Sequence, residues 1–554
     1  MKKSFLLLLI SIVFQISHAQ ETDVNKVYKS AIKNYESKDY KKSANDFTRV
    51  IELIDGIENL SDYVLFIGAS IFSGNKDEKE TFRILNYLVH KRFYSNIDKF
   101  KNQDVFKHWQ NKKEYQDILS KIIENKKTFP SRNRKKITTK LLEAKALLKE
   151  DNGKLWGHKI WSDNLIVIDY DKIIYSLVKL SDSKSDNDTL YYKTMEPNTL
   201  VFVNTTQKYQ DKEYATVLRN YLKDKSSTII HELFHLLHHK FRKLNGNSID
   251  YLDETDARIL LRLEFQALKN ALTTIIENKD VDEVKTFLKD AVVFRKKRQK
   301  KYSKYLNDEV EIETLEGLAN YTGFVLSSYE NKYKKAIDEI EERERAKTYT
   351  RPFPYATGPA YGLIFDYLKI DWKKGLDQVY NFAKIYENSV LNSKLNVSKK
   401  RLVLAQRRNN FTEIYEQEKQ REEEQNKLIA YYTNLLIKEP TLKVPVSDFD
   451  NYGRTYNMNG TMTLRGVGTV YSSIKGRDTS KGENFGDFFT TEGKDVLGVA
   501  GVLGYEKDGK NYFVFPLPTK ITDTKIIGQF YEIELNPNWK VIKQKNGNMQ
   551  VVKK

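Results

Sequence analysis

The chain of 554 residues contains no cysteine. This absence excludes disulfide bonds, thiolate metal ligands, a cysteine nucleophile and a lipidated amino-terminal cysteine. Any bound metal ion must therefore be held by His, Asp or Glu. Long apolar runs are also missing after the first twenty residues, so we expect no later segment to span a membrane.

A recognisable nucleic-acid module is missing as well. The net charge of +18 would suit an acidic partner. However, the lysines are spread along the whole chain beside 75 acidic residues, and no cluster of aromatic and basic residues stands out. We interpret the charge as a solvated, lysine-rich surface and predict no nucleic-acid partner. A basic surface protein that binds acidic polymers is an alternative, and it would not need His231.

The first residues, MKKSFLLLLISIVFQISHAQ, have the three parts of a secretory signal peptide. Two lysines precede an apolar run from Phe5 to Ile16, and Ala19 offers a small residue for cleavage. The run is too short to cross a bilayer of about 30 Å. We therefore predict that residues 1–19 are removed and that the protein is secreted or periplasmic.

The rest of the sequence predicts an α+β multidomain protein. From 20 to 130 the pattern is helical, and VYKSAIKNYESKDYKKSANDFTRVIEL resembles a tetratricopeptide repeat with Ser43 where alanine is usual. A looser copy follows in FIGASIFSGNKDEKETFRILNYLVHK, with Gly74 and Asn75 at its turn. Generic helical hairpins explain the pattern equally well. As repeats, these helices would offer a site for a protein partner.

The middle region, 131–440, is expected to follow a break at Pro130 and Ser131. It is predicted to be mainly helical with a small sheet, whose strands lie in LIVIDYDKIIYSLV and TLVFVNTT. Past Pro440 the composition changes, since fourteen of the 25 glycines fall in the last 104 residues. Hairpin signals at Asp508-Gly509 and Asn546-Gly547 predict a β domain, 441–554, built as a sandwich or a curved sheet.

The stretch TIIHELFHLLHHKF holds four of the eight histidines. His231 and His235 are four positions apart, so on a helix both imidazoles can reach one metal ion. Glu232 stands beside the first of them, where it can accept a proton from metal-bound water. Three residues able to cap this helix precede it: Ser226, Ser227 and Thr228.

Catalytic zinc usually takes three protein ligands and leaves one position for water. We considered three glutamates for the third position. Glu254 follows His235 after 18 intervening residues, in a charged setting. Glu264 lies in an otherwise apolar helix and needs a partner, which could be zinc, Arg258 or Arg262. Glu316 is followed by Gly317 and Ala319, which would let its helix approach the histidine helix closely.

The two remaining histidines of the stretch exclude one family. A metzincin needs Gly where this chain has His238, and His where it has Phe241. We expect His238 and His239 to lie behind the ligands or at the surface.

Two segments resemble gluzincins such as the aminopeptidase N family and the glycyl aminopeptidases. EGLANY, from Glu316 to Tyr321, is similar to their Asn-Glu-Gly-Phe-Ala-x-Tyr segment, whose glutamate is the third zinc ligand. FPYATGPAYGLIFDYL is similar to their Pro-Tyr-x-Lys-Gly segment. There Tyr355 matches the tyrosine that stabilises the tetrahedral intermediate, Thr357 replaces the lysine, and Tyr361 is a second phenol.

The chain also departs from these families. His235 and Glu316 are 81 positions apart, which predicts an inserted pair of helices. No clear Gly-x-Met-Glu-Asn segment, which anchors a substrate's amino group in aminopeptidase N, precedes the histidine helix. The choice between exopeptidase and endopeptidase therefore stays open.

The resemblance implies a mainly helical zincin catalytic domain and a zinc metallopeptidase acting on peptides or proteins. One catalytic Zn²⁺ would be held by His231, His235 and Glu316. Glu232 would accept a proton from water as it attacks the peptide carbonyl and pass it to the leaving amine. Tyr355 would donate a hydrogen bond to the oxyanion. The alternative is an inactive peptide- or protein-binding scaffold with a structural zinc, which would need four protein ligands.

Overall fold

The computed structural model describes residues 18–197, 199–222, 226–244, 246–247, 249–446, 452–456, 461–464, 466–478, 484–490, 501–507 and 510–554. The expected signal peptide falls almost wholly outside these residues. Two compact units are present: one comprises the described residues up to Glu143 with Val167–Met195, and the other comprises Ala144–Ile166 with Glu196–Lys554. None of the described helices combines the length and apolar character needed to cross a bilayer.

Helices dominate the chain up to residue 440. They are α1 His18–Glu36, α2 Tyr40–Leu53, α3 Asp62–Gly74, α4 Glu78–His90, α5 Ile97–Lys101, α6 Lys113–Asp151, α7 Ser227–His238, α8 Thr255–Ile276, α9 Val281–Lys301, α10 Leu306–Ile312, α11 Leu318–Leu326, α12 Lys332–Glu344, α13 Phe353–Tyr367, α14 Phe382–Tyr386, α15 Lys399–Arg408 and α16 Phe411–Thr433. Three π-helical turns accompany them: Glu313–Gly317, Glu387–Leu391 and Asn434–Lys438.

Strands form a small group in the middle of the chain and a large group at its end. They are β1 Leu165–Ile168, β2 Ile173–Ser176, β3 Lys184–Ser185, β4 Tyr191–Thr194, β5 Thr205–Tyr209, β6 Lys212–Leu218, β7 Thr441–Val446, β8 Gly453–Tyr456, β9 Thr461–Leu464, β10 Gly468–Tyr471, β11 Ile474–Arg477, β12 Gly486–Thr490, β13 Val502–Lys507, β14 Lys510–Pro516, β15 Lys520–Ile521, β16 Lys525–Ile527, β17 Tyr531–Leu535, β18 Trp539–Lys543 and β19 Met549–Lys553. The predicted mixture of N-terminal helices and a C-terminal β region is confirmed.

The first four helices form two hairpins, α1 with α2 and α3 with α4. The Ser43 hydroxyl donates to the Ala31 carbonyl at 2.7 Å, which ties α2 to α1. Gly68 on α3 lies directly against the Phe47 ring, since a Cβ there would be 2.3 Å from that ring. Small residues therefore allow these close helix crossings. The hairpins were predicted, while the tetratricopeptide identity stays a prediction.

The predicted break at Pro130 and Ser131 is wrong, because α6 continues through both residues. Ile122 and Ile137 are both buried, so one apolar face continues past the proline. The Arg132 guanidinium donates to the Asn125 carbonyl at 2.7 Å, which stabilises the backbone close to the missing N–H. Burial of the long helix outweighs the local cost of the proline.

Of the two predicted strand segments, LIVIDYDKIIYSLV forms β1 and β2, which pair antiparallel with Val167 opposite Tyr175. TLVFVNTT is strand only from Thr205 onward. Before that point the Gln207 side chain bonds both the N–H and the carbonyl of Val201, at 2.8 and 3.0 Å. The side chain thus takes the place of a strand partner, and the segment runs as a loop.

The C-terminal strands form two sheets. Their orders are β18-β19-β7-β14-β13-β10-β9 and β15-β16-β17-β12-β11-β8. Val444 and Phe513 of the first sheet share one buried core with Phe488 and Ile533 of the second, so the two sheets pack against each other. A sandwich and a curved sheet were the two arrangements expected from the sequence. The Asp508-Gly509 turn lies outside the described residues. Gly547, with φ of +85°, lies in the turn between β18 and β19.

Candidate metal centre

Helix α7 carries the histidine stretch through the interior of the second unit. Ile230, Leu233 and Phe234 are fully buried, which fixes the rotation of the helix about its axis. The predicted cap is wrong in detail. The Ser226 hydroxyl makes no capping bond, and the Ser227 hydroxyl instead contacts the Tyr329 hydroxyl at 2.9 Å. Packing rather than capping therefore positions this helix.

Two side chains of α7 converge with one from the chain segment packed against it. The Nε2 atoms of His231 and His235 are 3.0 Å apart. Glu316 Oε2 lies 3.4 Å from the first and 3.3 Å from the second. All three side chains are nearly buried, with 9 to 13% of their surface exposed. We call these three residues the His–Glu cluster.

Glu316 lies on the π-helical turn Glu313–Gly317, between α10 and α11. Such turns are rare and occur often at functional sites. Gly317 in this turn meets Gly358 on α13, where an added Cβ would be 2.3 Å from the Gly317 Cα. The close approach to the histidine helix that was expected at Gly317 and Ala319 is therefore not made by Gly317. At Gly323 on α11, an added Cβ would be 2.8 Å from the Ser227 carbonyl oxygen, so this glycine contacts α7.

Tyr355, in the first turn of α13, borders the His–Glu cluster. Its hydroxyl donates to Glu316 Oε2 at 2.8 Å, and its ring stacks on His231 at 5.8 Å with an angle of 7° between the planes. The Arg343 guanidinium lies 5.2 Å from the same ring, and the Asn320 amide donates to the Tyr355 carbonyl at 2.7 Å. Burial and the nearby Glu316 raise the pKa of Tyr355, so its phenol stays protonated.

Glu232 lies in the same buried region. Only 5% of the residue is exposed, and Oε2 has no hydrogen-bond partner among the described residues. Burial raises the pKa of the Glu232 carboxyl to about 8; the charge of His235 opposes the change and that of Glu316 adds to it. By contrast, His235 together with hydrogen bonds from both histidines outweighs burial and holds the pKa of Glu316 well below its usual range.

The other two candidate ligands lie elsewhere. Glu264 is fully buried and accepts from Arg295 at 2.6 Å, Arg298 at 2.5 Å and the Tyr361 hydroxyl at 2.9 Å. Glu254 stands at the N-terminus of α8 and accepts from the Tyr302 hydroxyl at 3.1 Å. Neither joins the His–Glu cluster.

The arginines predicted as partners of Glu264 pair elsewhere. Arg258 and Arg262 both contact Glu418 on α16, at 2.8 and 3.1 Å. They therefore tie α8 to α16.

The remaining residues discussed from the sequence, His238, His239, Thr357 and Tyr361, do not join the His–Glu cluster. His238 is fully buried, and burial lowers its pKa to about 4. His239 is half-buried, with its ring 6.2 Å from that of His235. Thr357 donates to Glu313 and Tyr361 to Glu264. Tyr361 therefore does not serve the cluster as a second phenol.

An ion network that the sequence did not predict lies behind Glu316. Arg295 donates to both oxygens of Glu313, at 2.5 and 2.6 Å, and all members are buried. We call Glu264, Arg295, Arg298, Glu309 and Glu313 the buried ion network. Glu313 opens the π-helical turn that carries Glu316, so the network anchors that turn. The one sequence signal is the placement of Glu313 three positions before Glu316.

The donor set of the His–Glu cluster fits a zinc ion. Two imidazole nitrogens and one carboxylate are a known catalytic ligand set. Tetrahedral zinc with ligands about 2.1 Å away places its donors about 3.4 Å from one another. The three measured separations of 3.0, 3.3 and 3.4 Å agree with that spacing. No other group of three or more potential ligands converges in this way among the described residues.

Compared with known proteins, the chain matches no family model, no curated protein and no solved structure. The gluzincin resemblance therefore rests on the two quoted segments and stays a prediction.

Proposed function

We propose that the protein is a secreted zinc metallopeptidase that hydrolyses peptide bonds at the His–Glu cluster. The observation that supports this most strongly is the convergence of His231, His235 and Glu316, with an unpaired, buried Glu232 carboxylate oxygen on the same helix. A zinc ion held by the cluster would supply the Lewis acidity that brings the pKa of water towards about 7.

The chain's own residues would handle the proton. Glu232 accepts a proton from the attacking water while the water oxygen forms a bond to the peptide carbonyl carbon. It then passes this proton to the amide nitrogen as the C–N bond breaks. Oε2 has no competing partner among the described residues, so it is free to make this transfer. Burial raises the pKa of this carboxyl, and the charge of a zinc ion held by the cluster would oppose that effect and favour the carboxylate form that accepts the proton.

Tyr355 would stabilise the oxyanion. Its phenol is protonated and lies 2.8 Å from Glu316 Oε2, so a rotation of the hydroxyl would let it donate to a substrate oxygen instead. The stacked His231 ring and the nearby Arg343 hold the tyrosine ring in place. Asn320 fixes its backbone.

The alternative is an inactive peptide- or protein-binding scaffold with a structural zinc. A closed structural site needs four protein ligands, whereas three donors converge among the described residues. An orphaned carboxylate beside the metal ligands also has no use in a closed site. Both observations favour catalysis over the scaffold.

The test compares wild type with Glu316→Gln and Glu254→Gln. Zinc content is measured by atomic spectroscopy and peptide hydrolysis with a casein and peptide library. We expect Glu316→Gln to lose both zinc and activity, because the cluster loses its only anionic donor. Glu254→Gln is the matched control and should retain both. The proposal fails if Glu316→Gln keeps full zinc content and activity.

A further inference from the structure

A large cleft lies in the second unit, beside the His–Glu cluster. Its volume is about 1760 Å³, beyond the range of about 300 to 1,000 Å³ that is usual for small-molecule pockets. Tyr355 is part of its lining, and the hydroxyl of this tyrosine contacts Glu316. Met462 of β9 and Val470 of β10, which are paired, also line it, so the face of a C-terminal sheet contributes a wall. The cleft therefore has room for several residues of a polypeptide that reaches the cluster.

Most charges in the lining of the cleft are already paired. Five of its acidic residues have a partner: Asp253 contacts Arg258 at 3.3 Å, Glu254 accepts from Tyr302 at 3.1 Å, Asp256 pairs with Lys301, Glu342 lies 3.6 Å from Arg343, and Glu422 pairs with Lys419 at 2.9 Å. Two cations of the lining also contact acidic residues outside it: Arg343 pairs with Glu339, and Arg421 lies 3.9 Å from Glu418. These groups are neutralised by the protein itself.

Three cations of the lining have no ion-pair partner in the part of the chain that the structure describes. They are Lys304, Lys347 and Arg351, and all three are exposed. The Lys304 ammonium lies 4.6 Å from the centre of the Tyr305 ring, which also lines the cleft. Against these three cations stands Asp250, the one acidic residue of the lining without a partner among the described residues. The free charges of the cleft therefore have an excess of positive sign.

Two of the three free cations lie on the approach to the His–Glu cluster. Lys347 and Arg351 belong to the segment that joins α12 to α13 and leads to Tyr355. A Cβ added at Gly246 would be 3.7 Å from Arg351 Nη2 and 3.5 Å from Leu315 Cδ2. The Arg351 guanidinium is therefore near the residue that precedes the third ligand of the cluster.

We propose that this cleft is a substrate subsite for acidic side chains, in which Lys347 and Arg351 pair with aspartate or glutamate residues near the cleaved bond. Lys304 would pair with a further carboxylate along the same peptide. The planar guanidinium of Arg351 matches a carboxylate in geometry. A uniformly charged polymer such as nucleic acid would meet the acidic residues of the same lining, whereas separate carboxylates of a peptide can meet the free cations one by one. This inference rests on the proposed function and specifies its substrate class as acidic polypeptides.

The binding experiment uses the zinc-loaded Glu232→Gln protein, so that peptides stay intact. Amidated, fluorescein-labelled dodecapeptides are compared that carry Glu, Gln or Lys at the same alternate positions, and anisotropy gives each dissociation constant. We expect the Glu peptide to bind about tenfold tighter than the Gln peptide, and the Lys peptide to bind most weakly. The difference should shrink at about 500 mM NaCl, because salt screens exposed charges.

The double variant Lys347→Gln/Arg351→Gln, made on the same background, tests the assigned cations. We expect about fivefold weaker binding of the Glu peptide and an unchanged affinity for the Gln peptide. Lys399→Gln/Lys400→Gln is the matched control, because it removes the same charge from two exposed lysines at the start of α15, outside the cleft. Equal affinities for the Glu and Gln peptides, or an equal loss in both double variants, would overturn the inference.

Two further arms examine other sources of negative charge. If a Gln peptide with a free C-terminal carboxylate binds as tightly as the amidated Glu peptide, the cleft recognises a chain end. If single-stranded DNA displaces the labelled Glu peptide more strongly than the unlabelled Glu peptide does, the cleft binds polyanions. Either result would overturn the assignment to acidic side chains.

Hydrolysis by the wild type keeps the two proposals apart. We expect a higher kcat/KM for the Glu peptide than for the Gln peptide, mainly through a lower KM. If the Glu peptide binds selectively and the wild type cleaves neither peptide, the proposed function fails and the subsite stands. If both peptides bind and are cleaved equally well, the subsite fails and the proposed function stands.

Discussion

Replacing Arg295 by methionine tests whether the buried ion network holds the third ligand in position. Arg295 contacts Glu264 at 2.6 Å and Glu313 at 2.5 and 2.6 Å, and all three side chains have no exposed surface. Glu264 would keep Arg298. Glu313 would keep the Thr357 hydroxyl as its one remaining donor among the described contacts, so its charge would be left largely uncompensated.

The expected cost follows from that uncompensated charge. Breaking a buried ion pair typically costs about 3 to 5 kcal/mol, and we expect about 4 kcal/mol for Arg295→Met. Glu313 begins the turn that carries Glu316, so zinc affinity should also fall, by about ten- to a hundredfold as for other residues that orient ligands. Arg295→Lys keeps the charge but cannot bridge two carboxylates, and it should give an intermediate loss.

The free energy of unfolding is measured by urea denaturation, with tryptophan fluorescence as the signal. EDTA is present so that metal binding does not contribute. Zinc affinity is measured separately by competition with a chromophoric chelator. Lys334→Met is the matched control, because Lys334 pairs with Asp338 on the surface at 2.8 Å. Such pairs contribute about 0.5 kcal/mol. If Arg295→Met lowers the free energy of unfolding no more than Lys334→Met does, the buried ion network does not stabilise the site. Unchanged zinc affinity in Arg295→Lys would also refute that role.

Three further predictions concern single side chains near the site. Tyr355→Phe should lower kcat about a hundredfold or more with zinc retained, and steady-state kinetics with an unchanged kcat would contradict the oxyanion role. Burial depresses the pKa of His238 in the folded protein to about 4, below its value in the unfolded chain. The free energy of unfolding is therefore fully retained above pH 6.5 and decreases as the pH falls towards 4. In His238→Leu, the decrease in the free energy of unfolding between these pH values should be smaller by about 3 kcal/mol, measured by urea unfolding. An unchanged dependence of stability on pH would contradict this prediction. Gly358→Ala should destabilise the protein by about 1 to 3 kcal/mol in thermal unfolding, because its Cβ would meet the Gly317 backbone; a stabilising effect would contradict the close contact.

The spacing of His231 and His235, together with the resemblance of the Glu316–Tyr321 segment to gluzincins, made much of the site predictable. His231, His235 and Glu316 were chosen from the sequence, and the structure places them together. The separation of 81 positions from His235 to Glu316 predicted an inserted helical pair, and α8 and α9 lie in that interval. Their role as zinc ligands stays a prediction.

Contacts between distant segments were not predictable. Tyr361 and Thr357 follow Tyr355 closely in sequence, yet their hydroxyls donate hydrogen bonds to carboxylates of the buried ion network. Arg343 lies in a charged run typical of a solvated helix face, and nothing local indicates that its guanidinium lies over the Tyr355 ring. Gly317 was expected to contact the histidine helix, but it contacts α13. A glycine in the sequence indicates that another segment can come close, but it does not indicate which one.

Local signals also failed where the surroundings opposed them. Pro130 predicted a break, but the buried apolar face of α6 continues through it. The apolar run Val201–Val203 predicted a strand, but the Gln207 side chain satisfies the backbone of Val201 and leaves the run as a loop. In both places a contact outside the run itself outweighs the propensity of a few residues.

The most direct test of the central claim is the rate of casein cleavage by Glu232→Gln at full zinc occupancy. The substitution is nearly isosteric and removes only the group that would accept the proton. We predict one zinc ion per chain, as in the wild type, with cleavage reduced to background. Undiminished cleavage by zinc-loaded Glu232→Gln would contradict the proposal that this carboxylate and the His–Glu cluster form the catalytic centre.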